Sequence, residues 1–123
     1  MNVYLAKFTA DDQVAYKTGH TKYTYQPIKR FSDEQYLVFD KIEILESIQI
    51  QRDSYYEAKD AAYKIEKEIQ AVWPKNFYLE EHFARPAGTF NGLSGITEMF
   101  ILTDGVTESD VVSSFLSFKE KYQ

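Results

Sequence analysis

Two runs of strand-forming residues stand close together at the start of this chain, and they limit the folds open to it. Val3 to Phe8 (VYLAKF) and Val14 to Thr21 (VAYKTGHT) are separated only by Thr9-Ala10-Asp11-Asp12-Gln13. So short a connection between two such runs reads as a β-hairpin. The Asp-Asp pair suits the turn, since short acidic side chains bond back to nearby backbone. Any architecture for this chain has to be built outward from that hairpin.

Downstream, Pro27 suits the first turn of a helix running through Lys29, Arg30 and Phe31. Tyr36 to Ile50 follows, in which Ile42, Ile44, Ile48 and Ile50 share one parity and predict a half-buried strand. Glu46 interrupts that face, which places a bend or a sheet edge there. The clearest helix starts at Ser54-x-x-Glu57, a capping box in which each side chain satisfies the other's backbone N–H. Tyr55, Ala58, Ala62, Ile65, Ile69 and Val72 form its apolar stripe, Glu66 borders the stripe, and Pro74 stops the helix. Asn76 to Phe83 reads as another strand and Pro86 to Gly95, with its three glycines, as a loop. Ile96 to Leu102 is a short apolar element containing Glu98. The last helix, about 108–121, starts near Thr107-x-x-Asp110 and buries Val111, Val112, Phe115, Leu116 and Phe118. The pattern predicts an α/β (α+β) fold over residues 1–123: one domain with a small central, mostly antiparallel sheet that starts with a β-hairpin and is flanked by helices.

Composition excludes several chemistries. The chain has 123 residues, enough for one core, and no cysteine, which removes disulfides, thiolate nucleophiles and cysteine-bound zinc. No apolar run is long enough to span a bilayer and MNVYLAKF is no secretory leader, so the expectation is a cytoplasmic protein with no membrane partner. No phosphate-binding Gly-x-x-x-x-Gly-Lys, dinucleotide Gly-x-Gly-x-x-Gly, Gly-x-Ser-x-Gly or His-Glu-x-x-His occurs. The net charge of −5 does not suit a protein that grips a long duplex, and on charge alone a solvated surface of mixed sign is the simpler reading. The charge is uneven, however. Lys7, Lys17, Lys22, Lys29 and Arg30 fall in the first quarter, whereas most glutamates come later, so the N-terminal third can present a positive patch. The aromatic residues, 16% of the chain, are assigned to the core first and to base stacking second.

Several short motifs, taken in order, carry a resemblance. Val3-Tyr4-Leu5, Lys17-Thr18-Gly19, Gly19-His20-Thr21, Arg30 and Ser94-Gly95-Ile96-Thr97-Glu98-Met99-Phe100 are spread over about residues 3–102. They resemble the GIY-YIG endonuclease superfamily, in particular a phage-type branch with Lys-Ile-Gly in place of Tyr-Ile-Gly. Gln70, after Glu66-Lys67-Glu68-Ile69, stands where that family often has histidine. The resemblance implies a metal-dependent endonuclease that hydrolyses phosphodiester bonds in DNA with Mg²⁺. Tyr4, Lys17, Arg30 and Glu98 would be the catalytic set, with Glu98 the metal ligand and Gly19, His20 and Thr21 at the substrate. In that scheme Tyr4 orients or deprotonates the attacking water, and Lys17 holds the phosphate or replaces the missing tyrosine as base. Arg30 clamps the scissile phosphate with a planar charged fork, and His20 shuttles protons. The partner would be DNA. With no DNA-reading module in view, a protein partner or a homo-oligomer would select the target, in the cytoplasm of a host cell if the gene is phage-encoded. The rival expectation is a catalytically degraded accessory or protein-binding domain on the same fold.

Each residue also has a plainer reading. Tyr4 is one of 10 tyrosines and suits a core edge, and Lys17 suits an exposed strand position. Arg30 suits a surface pair with Asp33 or Glu34, worth about 0.5 kcal/mol. Glu66 suits a hydrogen-bonded stripe border, and His82 a pairing with a neighbouring carboxylate. Glu98 has the strongest claim to a function, because a carboxylate inside an apolar element needs a reason.

Overall fold

In the computed structural model the protein is described over residues 1–11, 13–78 and 98–123. The hairpin forms as the opening residues require. Strand β1 (Asn2–Ala10) pairs antiparallel with β2 (Gln13–Thr21) from Asn2↔Thr21 to Ala10↔Gln13. Thr9, Ala10 and Gln13 extend the ladder, so the turn is shorter than the sequence suggests. Asp11 takes a left-handed backbone (φ 53°), and its N–H donates to Asp40 Oδ2 at 2.7 Å.

Strand β3 (Lys41–Gln49) pairs with the other edge of β1, and the short β4 (Met99–Phe100) pairs with β2 at Tyr16 and Lys17. The result is a four-stranded antiparallel sheet in the order β3-β1-β2-β4. Helices α1 (Tyr55–Gln70) and α2 (Glu108–Tyr122) pack on one face of it. Val3, Leu5, Tyr16, Ile48, Phe100, Ile65, Ile69 and Phe115 form the core on that side. The opposite face is covered by chain between β2 and β3, where Phe31, Tyr36 and Phe39 close over Tyr4, Ala6, Phe8 and Ala15. Phe31 stands edge-on to Tyr4, Phe8 and Tyr36, with ring centroids 5.0–5.4 Å apart. The α+β class is the one the sequence predicts. Among the described residues no helix is long and apolar enough to cross a membrane.

Three expectations are corrected. The segment bearing Arg30 is a single 3₁₀ turn, Pro27–Phe31, with Pro27 at its start; it is too short to be the α-helix expected. Residues 34–38 form a second 3₁₀ turn (Glu34–Val38) and are not strand, so β3 begins only at Lys41. The expected strand from Asn76 opens instead as a 3₁₀ turn, Lys75–Phe77, after which Tyr78 makes one bridge to Phe100. Residues 79–97, including His82, the glycine-rich stretch and the start of the apolar element at Ile96, lie outside the described residues.

Glu46 does mark an irregularity. Leu5 pairs with Glu46 and Ala6 with Ile44, which leaves Leu45 as an extra residue in a β-bulge. The bulge reverses the parity of β3. Ile42 and Ile44 therefore lie against the 3₁₀ face, while Ile48 and Ile50 lie in the helix-side core.

Candidate active site

Strand alternation delivers Tyr4 from β1 and Lys17 and Gly19 from β2 to the same face of the sheet. Tyr4 and Gly19 are direct cross-strand partners. Because Gly19 has no side chain, the Tyr4 ring crosses over it: a Cβ built at Gly19 would fall 2.4 Å from the Tyr4 hydroxyl oxygen and 2.9 Å from Lys17 Nζ. The Lys17 ammonium donates to the Tyr4 hydroxyl at 3.1 Å and lies 3.4 Å from Glu98 Oε2. Glu98 reaches this point because it immediately precedes β4, which pairs with β2 at Lys17. Tyr4 is fully buried and Lys17 is 4% exposed, which rules out the exposed-strand reading of Lys17.

A second carboxylate belongs to the cluster. Glu66, on α1, is only 3% exposed, because it continues the row Ala58-Ala62 at four-residue steps onto the buried side of the helix. The sequence places it at the stripe border; that same four-residue spacing was the signal for burial. His20 Nδ1 lies 3.4 Å from Glu66 Oε1, without hydrogen-bond geometry. Lys67 Nζ lies between the two acids, 3.5 Å from Glu98 Oε1 and 3.9 Å from Glu66 Oε2. Gln70 anchors α1 to β2 by donating from Nε2 to the Thr18 carbonyl at 2.9 Å, and accepts from Lys67 at 3.2 Å.

Arg30 makes no pair with Asp33 or Glu34. Its Nη1 donates to the Tyr36 hydroxyl at 3.1 Å, and the guanidinium lies over the Phe31 and Tyr36 rings. It is close enough for its charge to act on Tyr4. Burial drives the Tyr4 phenol far above the ordinary tyrosine range; Arg30 opposes this, while Glu66, Tyr36 and Glu98 reinforce it. Tyr4 is therefore a neutral hydroxyl, able to donate and to accept, and not a phenolate base at neutral pH. Thr21 is 5% exposed and accepts from the Tyr23 N–H at 3.4 Å. It shares a shallow depression of about 350 Å³ with His20, Lys22, Arg30 and Lys59.

The fold thus gathers Tyr4, Lys17, Gly19 and Glu98 tightly, sets Arg30 within electrostatic reach, and places His20 and Thr21 at an adjoining opening. Among the described residues no three acidic or histidine side chains form a metal-holding group. Mg²⁺ does not require one, since it keeps several waters and is commonly bound through one or two carboxylates. The oxygen donors of Glu98 are of the right chemistry for that ion. Comparison with protein-family models, with curated proteins and with solved structures returned no match.

Proposed function

We propose that the protein is a Mg²⁺-dependent endonuclease of the GIY-YIG type acting on DNA phosphodiesters. The observation that carries this reading is the convergence of Tyr4, Lys17 and Glu98 over Gly19, with the charge of Arg30 felt at the same phenol. These residues come from four segments of the sequence, and a core that only needed filling has no use for the buried Lys17 and Glu66. Glu98 would hold the ion, which when bound supplies a Lewis acid for the phosphate oxygens and for an activated water. The neutral Tyr4 hydroxyl orients the water. Lys17 stabilises charge on the phosphate, and Arg30 offers its fork to the non-bridging oxygens. Glu66 adds negative potential at Tyr4 and lies beside His20 and Lys67.

Among supercoiled, linear and single-stranded DNA incubated with the protein and Mg²⁺, at least one form should be cut. Cutting should vanish with EDTA and in Glu98→Ala, and should slow by about 100-fold or more in Arg30→Ala. Cleavage that survives Glu98→Ala would sink this assignment of the site.

One observation favours the rival reading, a binding domain with a degraded site. Each Glu98 oxygen already has a lysine beside it, Lys17 on Oε2 and Lys67 on Oε1. If these ammonium groups are permanent counter-ions, calorimetry will detect no Mg²⁺ binding to the wild-type protein. Heat of binding that is abolished in Glu98→Ala decides for the enzyme.

A further inference from the structure

Most tyrosines of this chain suit a core by sequence, yet several stand in solvent together. Tyr23 is 37% exposed, Tyr25 72% and Tyr55 54%. They line three shallow depressions that share walls. One holds His20, Tyr23, Arg30, Tyr55 and Lys59. The next shares Lys22 and Tyr55 with it and runs on to Tyr25, Gln51 and Arg52. A third joins Tyr23 and Tyr25 to Lys29. The three make one track, which starts at the Arg30 and His20 side of the candidate active site.

The charge on this track is opposite to that of the molecule. No carboxylate among the described residues pairs with Lys22, Lys29, Arg30, Arg52 or Lys59, while other lysines do hold carboxylates, Lys7 with Glu108 and Lys119 with Glu46 among them. Among the described residues Asp53 is the one acid that lines the track, in a chain with a net charge of −5. The rings are also held in place: Lys22 Nζ sits 5.5 Å above the Tyr23 ring, and Gln51 Nε2 donates to the Tyr25 hydroxyl at 3.1 Å. Unpaired cations spaced between exposed aromatic faces match the backbone and the unstacked bases of a single strand. A duplex hides its base faces and would leave the tyrosines unused.

We propose that this track binds single-stranded nucleic acid, with bases stacked on Tyr23, Tyr25 and Tyr55 and phosphates on the intervening lysines and arginines. The proposal rests on the nucleic-acid reading above and adds the form of the substrate: a strand unpaired where it meets Arg30.

The test is binding without turnover. Fluorescence anisotropy of a labelled oligothymidylate of about 12 nucleotides, in EDTA, is compared with a duplex of equal length. Expected are preference for the single strand, about tenfold weaker binding for Tyr25→Ala and Tyr55→Ala, and recovery in Tyr25→Phe and Tyr55→Phe. Lys22→Ala and Lys59→Ala should each flatten the salt dependence by about 0.7 in log–log slope. All of these side chains are exposed, so the variants keep the fold. Equal binding of duplex with no effect of the tyrosine changes overturns the proposal. So does no binding of either, or capture by anionic phospholipid vesicles in place of the oligonucleotide. Tight, tyrosine-dependent binding in a protein that cuts nothing would keep the track and discard the nuclease.

Discussion

Tyr4 and Gly19 are a pair in which one residue exists to make room for the other. A methyl group at Gly19 would lie 2.7 Å from the Tyr4 ring carbon that bears the hydroxyl, and that ring, fully buried between Phe31 and the sheet, has no free direction in which to move. Gly19→Ala should therefore lower unfolding free energy by about 1–3 kcal/mol in urea titrations, on the scale of core overpacking. It should also separate the Tyr4 hydroxyl from Lys17; a fully stable Gly19→Ala protein would mean the ring does not cross there. Alternation along β2 puts Lys17 and Gly19 on one face, and the Tyr4↔Gly19 register adds Tyr4 to it. The burial of Glu66 was not read from the sequence, because a carboxylate on an apolar stripe can equally snorkel to water. Among the described residues His20 and Lys67 lie close to it, which offsets part of the cost of its burial.

At the level of elements, local signals placed the helices and long-range pairing reshaped the strands. Both caps fall where the sequence puts them, but the reciprocal box forms at the second helix. Thr107 accepts from the Asp110 N–H at 3.2 Å while Asp110 accepts from the Thr107 N–H at 2.9 Å, whereas Ser54 only accepts from the Glu57 N–H. Thr107→Ala should lower stability by about 1 kcal/mol, measured as a shift in the urea midpoint at constant slope; no shift would mean that α2 is held by its packing alone. That packing is narrower than the sequence suggests, since Val111 and Phe115 are buried while Leu116 is 41% exposed. The parity of β3 was misread over Ile42–Ile50, because a bulge is fixed by the pairing partner β1 and leaves no mark in β3 beyond the awkward Glu46. The 3₁₀ turns at Pro27–Phe31 and Glu34–Val38 likewise depend on tertiary packing, since Phe31, Tyr36 and Phe39 close over the neighbouring sheet face.

The whole molecule divides its charge between two surfaces. Carboxylates pair with lysines across α1, α2 and β3, as in Lys121 with Glu68 at 3.0 Å, while no carboxylate among the described residues pairs with the cations of the track beside Arg30. Its tyrosines divide as well, and the buried ones tie stability to pH. Burial is the first cause of raised phenol values at Tyr4, at Tyr16, where a hydrogen bond to Glu108 adds to it, and at Tyr78, which is pushed up to about 12. The folded state thus keeps protons that the unfolded chain releases near pH ~10. The stability these groups contribute is complete below that pH and is lost as pH rises through the folded values. Urea midpoints should hold steady up to about pH 9 and fall progressively above about pH 10. Tyr4→Phe should reduce the fall, and an identical alkaline profile in that variant would remove Tyr4 from the account.

What the sequence determined by itself is local: the hairpin, both helix starts and the α+β class. Periodicity and capping act within a few residues, so they can be read along a chain. The tertiary structure decided the rest. It brought Glu66 and Lys67 into the cluster, pushed the Tyr4 phenol above the ordinary tyrosine range by burial, reversed β3 at Leu45, and left one set of tyrosines in solvent beside cations that no carboxylate among the described residues pairs. Each of these depends on which distant group lies within a few ångströms, and burial and electrostatic energy are set by that neighbour and not by the residue alone.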